Sequence, residues 1–252
     1  MVFPIVWMAL TAFKTELHAF SNPPELLFTP TLASFEEAFG RGNLLQYIAN
    51  SSIAALGSTL VGILLSMPAA YILAFYPTRR TQFALIWMIS TKMMPPVGVL
   101  VPIYLVYRDL HLLDSILGLL LIYVALNLPL IVWMLYTFFK EIPEGILEAA
   151  RMDGAGAMQE IMDVLLPIAR PGIASAALLA IIFSWNESFW SLNLTSANAI
   201  TLPVFIASFK TAEGLFWAKM SAGATLAILP VLVLGWIAQR QLARGLSFGA
   251  IK

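Results

Sequence analysis

The stretch Ser51 to Phe75 reads SSIAALGSTLVGILLSMPAAYILAF, 25 residues without an acidic or basic side chain. At about 1.5 Å of rise per helical residue it extends about 37 Å. That exceeds the hydrocarbon core of about 30 Å that a spanning helix must cross. The same pattern repeats outward along the chain. Phe83 to Tyr107 is another 25 residues, interrupted only by Lys92, and Ile116 to Phe139 gives 24. Met220 to Gln239 gives 20, and Gly172 to Asn186 gives 15. This last segment spans if its helix runs on to Trp190. None shows the short alternating strands of an outer-membrane barrel.

Composition leads to the same solvent. Of 252 residues, 60% are hydrophobic and 11% charged, against roughly 25% charged in an ordinary soluble domain. Fourteen basic residues balance fourteen acidic ones, and a chain without basic excess is a poor partner for nucleic acid. The absence of Cys excludes disulfides, thiolate nucleophiles and Cys-based metal sites. His18 and His111 stand apart from any metal-ligand spacing. The fold class expected is all-α: a polytopic membrane protein of about six transmembrane helices in a single domain, residues 1–252. The apolar segment Met1 to Phe13 reads as the latter part of a first spanning helix whose start lies before this sequence. The alternative reading is a short interfacial segment.

Basic residues orient the chain. With six spans and an inside start, one side receives Arg79, Arg80, Lys140, Arg151, Arg170, Arg240, Arg244 and Lys252. The other receives Lys14, Arg41, Arg108, Lys210 and Lys219. The positive-inside rule then puts the loop from Lys140 to Arg170 and the C-terminus in the cytoplasm. Outside, Lys14 to Tyr47, with Pro23, Pro24 and Pro30, reads as a folded loop. In the second outer connection, Thr201 to Phe209 is apolar but too short to span.

The predicted cytoplasmic loop, Lys140 to Pro171, is KEIPEGILEAARMDGAGAMQEIMDVLLPIARP. It predicts one helix from Pro143 to Met152, with Glu144 near the positive helix end. Asp153, Gly154 and Gly156 stop that helix. A second helix carries Met158, Ile161, Met162 and Leu165 on one face, Glu160 and Asp163 on the other, and ends at Pro167. Ala149 and Ala150 beside Glu148 suit close docking of a partner surface, and equally an amphipathic helix resting on its own membrane.

The spacing Glu148-Ala149-Ala150, Gly154, Val164, Leu166-Pro167 resembles the EAA loop of binding-protein-dependent ABC importer permeases, with Val164 where that family usually has Ile. Trp7 to Glu16 (WMALTAFKTE), Trp185-Asn186-Glu187 and Arg244-Gly245-Leu246 with Gly249-Ala250 are similar to the maltose-type carbohydrate permeases. Thr91 to Tyr104 (TKMMPPVGVLVPIY) and the ending RGLSFGAIK resemble the sorbitol and mannitol permeases among them. The resemblance implies a non-enzymatic transport subunit of a bacterial inner membrane. Its partners would be a second homologous permease, an ATPase dimer, an extracytoplasmic substrate-binding protein and a sugar or polyol. The coupling contact with the ATPase falls on Glu148, Ala149, Ala150, Asp153, Gly154, Leu166 and Pro167. The chain itself needs no cofactor under this reading, because ATP and Mg belong to the ATPase. No Gly is followed by Lys anywhere in the sequence, so a Walker A phosphate loop is absent.

Candidate pathway residues lie within the spans. Lys92, costly at the centre of a bilayer, precedes Pro95 and Pro96, which break a helix ladder. Lys92 lines the pathway, or else snorkels or pairs with Glu187. Trp185, Asn186 and Glu187 offer stacking and hydrogen bonding to a polyol, or an interfacial anchor. Asn127, with Pro129, marks a kink with local hydrogen bonding. An ion-driven secondary transporter is the alternative function class, but it calls for inverted repeats and several intramembrane carboxylates, and the sequence has neither.

Overall fold

The computed structural model describes residues 2–40, 42–211 and 214–247. Arg41 and the tail positions Gly249, Ala250 and Lys252 lie outside the described residues. The elements in chain order are α1 (Phe3–Ala12), α2 (Glu16–Ala19), α3 (Ala33–Gly40), α4 (Leu44–Phe75), α5 (Thr81–Thr91), α6 (Pro96–Asp109) and α7 (Ile116–Lys140). They continue with α8 (Glu144–Met152), α9 (Ala157–Gln159), a π-helical turn at Glu160–Leu165, α10 (Leu166–Ile168), α11 (Arg170–Trp185), α12 (Phe189–Leu194) and α13 (Leu202–Ala207). A short antiparallel hairpin, β1 (Lys210–Thr211) with β2 (Gly214–Leu215), precedes α14 (Trp217–Ser247).

Each apolar segment of the sequence recurs as helix, but the helices differ in length. Among the described residues, α4 and α7 alone are long and apolar enough to cross a membrane unaided. They start on side-chain caps, Asn43 accepting from the Gln46 N–H and Ser115 accepting from the Gly118 N–H, which satisfies donors left free at a helix start. The two pack side by side. A Cβ at Gly62 of α4 would stand 2.8 Å from the Ile131 side chain of α7, so the missing side chain allows this close approach.

The Phe83–Tyr107 segment is not one rod. Pro95 and Pro96 have no N–H to donate, and α5 and α6 meet there at 87°. Lys92 therefore caps the end of α5 rather than sitting at mid-span. The fifth segment also departs from expectation, because α11 stops at Trp185 and does not run on to Trp190. The Glu187 carboxylate accepts from the backbone N–H groups of Phe189, Trp190 and Ser191. It thereby caps a new helix, α12, instead of letting the old one continue. At its other end α11 meets the 157–168 helical run at 82°.

The loops that the basic residues assign to the outside are folded. Lys14 is buried, donating to the Glu25 carbonyl at 2.6 Å with its ammonium over the Trp7 ring. Glu16 accepts from the Ala218 and Lys219 N–H groups at the start of α14, where a carboxylate meets the positive helix end. Within the apolar Thr201–Phe209 stretch lies α13; its Leu202, and Phe209 just beyond its end, pack inside the protein with Leu44 and Trp185. Two clusters mark opposite ends of the α4–α7–α11 bundle. Tyr71, Phe139, Leu147, Leu165 and Ala169 meet at one, and the starts of α4 and α7 meet the residues after α12 at the other.

Candidate functional site

Helix α8 occupies the loop end of the bundle. Pro143 is its N-cap in extended conformation and Glu144 lies in its first turn, 3.7 Å from Lys140. Leu147 is the buried residue of this helix and sits in the cluster with Phe139, Ile142, Ile161 and Leu165. Gly145, Glu148, Ala149 and Met152 are exposed; their i, i+3, i+4, i+7 spacing puts them on one outward face. Ala150 is half-buried beside them. The helix stops where the sequence says it should. Gly154, at φ +87°, takes the left-handed conformation that suits glycine. Its N–H donates to the Arg151 carbonyl and the Ala155 N–H to the Ala150 carbonyl, each at 3.0 Å, which is a Schellman termination. Asp153 is the exposed C-cap. Further on, Leu166 packs partly against the cluster and Pro167 is exposed.

The second helix of the loop corrects the sequence reading twice. Pro167 does not end it: the run continues through α10 to Ile168, with proline in the first turn of α10, where its missing N–H costs least. Glu160 does not face solvent either; it is 3% exposed. The π-helical turn is the cause. Its wider winding, i to i+5, puts Glu160, Ile161 and Leu165 inward and leaves Met158 and Met162 outside. Arg151 grips the buried carboxylate with a two-pronged fork, Nε to Oε1 and Nη2 to Oε2, both 3.0 Å. The Tyr71 hydroxyl of α4 donates to Oε2 at 2.8 Å. The Arg151 fork holds the Glu160 carboxyl below the usual carboxylate range, overcoming the upward push of burial, and Tyr71 adds to the lowering.

The candidate pathway residues divide into two groups. At the α5–α6 elbow the Lys92 ammonium donates to the Leu126 carbonyl at 2.8 Å and lies 5.4 Å from the Phe183 ring centre. The Glu187 carboxylate is taken up by α12, so the two ions do not pair. Thr91, Lys92, Pro96, Leu126 and Trp190 wall a cavity of about 220 Å³. Trp190 carries no signal of its own in the sequence, yet its buried indole N–H has no partner among the described residues. Met93 and Pro95 are exposed at the elbow. The second group links helices. Asn127 donates to the Ser184 hydroxyl at 2.8 Å, which meets Ser58 at 3.3 Å. The Trp185 indole donates to the Ala227 carbonyl of α14 at 3.2 Å. Asn186 is exposed, its amide returned to the Ile182 carbonyl.

At the opposite end is a feature that local pattern does not reveal. Asp114, at φ +51°, accepts from the backbone N–H groups of Ser196, Ala197, Asn198 and Ala199 and from the Asn198 side-chain amide. Asn50 of α4 donates to the Asn198 and Ile200 carbonyls. Burial alone would push the Asp114 carboxyl up, but the ring of N–H donors holds it well below the usual carboxylate range.

A bundle of spanning and elbowed helices, with a short helix exposed on a loop at one end, defines a helical membrane permease. Residues 62–247 match the family described as the binding-protein-dependent transport system inner membrane component, and the chain belongs to it. A probable ABC transporter permease of Sinorhizobium fredii is 35% identical over 251 residues, covering 100% of this chain and 90% of that one. The trehalose transport system permease SugB of Mycobacterium tuberculosis is 34% identical, covering 99% and 92%. The sulfoquinovosyl glycerol transport system permease SmoH of Agrobacterium fabrum is 34% identical, covering 100% and 89%. Among solved structures, a bacterial ABC transporter involved in alginate import superposes with TM-score 0.76 at 22% identity, over 95% of this chain and 90% of that one; this likeness is one of fold.

Proposed function

We propose that this chain is one permease subunit of an ATP-driven, binding-protein-dependent importer of carbohydrate. Residues 1–252 act as one translocating unit in a bacterial inner membrane, with the α8 loop and the C-terminus cytoplasmic. Its partners are a second, homologous permease, an ATPase dimer that holds ATP and Mg, and an extracytoplasmic substrate-binding protein. The observation that carries this reading is α8: its inward side chain, Leu147, is seated in the protein's own core. Glu148 and Ala149 stand free on the other side, flanked by Gly145 and Met152. A helix already packed on its own bundle presents its outer face to a partner. Glu148, Ala149 and Ala150 make that contact, and Asp153, Gly154, Leu166 and Pro167 set the shape that offers it.

Relatives named for trehalose, sulfoquinovosyl glycerol and trehalose/maltose transport support a carbohydrate cargo. Within that class we favour a sugar alcohol, on the likeness of Thr91–Tyr104 to polyol permeases. Lys92, Pro95 and Pro96 form the pathway wall at the elbow, where ammonium, threonine hydroxyl and indole N–H suit hydroxyl groups. Asn127, Trp185, Asn186 and Glu187 extend the pathway from there, with Glu187 fixing Trp190 through its backbone N–H.

The test is reconstitution with the partner subunits in vesicles, offering trehalose, maltose, sorbitol and mannitol in turn. Uptake that requires enclosed Mg-ATP, and a cross-link from Glu148→Cys to the ATPase, are expected. Uptake by this chain alone on an ion gradient would overturn the reading.

A further inference from the structure

We infer that Arg151, Glu160 and Tyr71 are positioning residues that lock α8 to the end of α4, so that the two helices move as one rigid piece. The inference rests on the coupling reading of α8 and adds to it the route by which a push on that helix reaches a membrane span.

The apolar packing of α8 is slight for a lever. Leu147 is its one buried side chain, and a single apolar knob leaves a short helix free to roll. The Arg151–Glu160 fork removes that freedom. Two parallel N–H···O bonds of 3.0 Å fix both distance and orientation. The guanidinium also lies 5.2 Å from the centre of the Tyr76 ring, just beyond the end of α4. Glu160 in turn accepts from Tyr71 in the last turns of α4, and Lys140 at the end of α7 reaches the Ala74 carbonyl at 3.4 Å. The carboxylate thus joins three elements that nothing in local sequence connects.

Two further observations separate this arrangement from ordinary adhesion. The pair is buried on its acidic side alone, the Glu160 side chain being 3% exposed and that of Arg151 37%; desolvating the carboxylate offsets much of the attraction, while the two-pronged bond fixes geometry. The pair also depends on a π-helical turn to aim Glu160 inward, a rare winding that recurs at functional sites.

The experiment uses the complete importer in lipid nanodiscs. The chain has no Cys; with Cys-free partner subunits, spin labels go on at Glu144→Cys, exposed in the first turn of α8 beside its docking face, and at Ile72→Cys, on the exposed face of α4. Their separation is measured by pulsed dipolar spectroscopy, nucleotide-free and after trapping with Mg-ATP and vanadate. The wild-type arrangement should give one narrow distance peak, centred identically in both states. Glu160→Gln and Arg151→Met should lose that single peak while the ATPase subunits still hydrolyse ATP. Should either variant fail to assemble, Tyr71→Phe carries the same measurement, with partial broadening expected.

A wild-type peak that moves between the two states, or variant distributions that superimpose on wild type, would overturn the inference. The coupling reading fails separately, if Glu148→Cys forms no cross-link to the ATPase in the same particles.

Discussion

Asp114 shows how much one side chain can organise when the backbone bends to it. Its carboxylate collects N–H donors from four consecutive residues, Ser196 to Ala199, and so fastens the α6–α7 turn to the loop after α12. A carboxyl whose folded pKa is depressed stabilises the fold above its unfolded pKa of about 3.9. That contribution is lost only as pH falls through the lower folded value. Detergent-solubilised wild-type protein should therefore keep this share of its stability from neutrality down to about pH 4. Asp114→Asn tolerates the same positive φ, removes the charge and turns one acceptor oxygen into an N–H donor. It should cost about 2 kcal/mol at neutral pH, read as a lower unfolding temperature, and the gap should close in strong acid. Gly154 is the corresponding residue at the other end. Forcing a side chain into its left-handed backbone costs about 1–2 kcal/mol, although Asn is tolerated there better than Val or Asp. Gly154→Asp should insert normally yet lose uptake and co-purification of the ATPase, whereas Gly154→Asn should retain both.

Among the helices, α7 and α11 approach each other over a glycine. A Cβ at Gly172 would fall 2.4 Å from Phe138, and overpacking of this kind costs about 1–3 kcal/mol. Gly172→Ala should lower the unfolding temperature, and Phe138→Leu in the same chain should recover part of the loss. Both residues also border a small cleft beside Pro143, so this crossing helps to seat the α8 loop. The elements themselves were largely legible from sequence, because lack of charge over a long run is a local property. So was the stop at Gly154, since terminal glycine needs no distant partner. The Glu160 side was misread because a 3.6-residue period was assumed where the chain winds wider. Two features depend on contacts no window contains: the Asp114 clasp, reaching residues 84 positions away in the case of Asn198, and the Trp185 bond to Ala227. The capping of α12 by Glu187 spans only two to four residues, but the apolar run around it hides the break.

Over the whole molecule, orientation is the property most open to direct test. The two end clusters put Tyr71, Leu147 and Leu165 together at one pole, and Asn50, Asp114 and Asn198 at the other. Because the sequence has no Cys, single cysteines report sidedness without background. Gly145→Cys should react with a membrane-impermeant maleimide only in inside-out vesicles, and Asn198→Cys only in whole spheroplasts; the reverse result would invert the topology. The elbow between α5 and α6 has a consequence of its own. Across Pro95 and Pro96 no main-chain bond joins the two arms among the described residues; the turn closes within each side, Met94 to Thr91 and Gly98 to Pro95. Swinging one arm against the other therefore melts no ladder, although it shifts side-chain contacts such as Lys92 to Leu126 and Tyr107 to Gly118. A joint of that kind bends at side-chain contacts and leaves both helices wound.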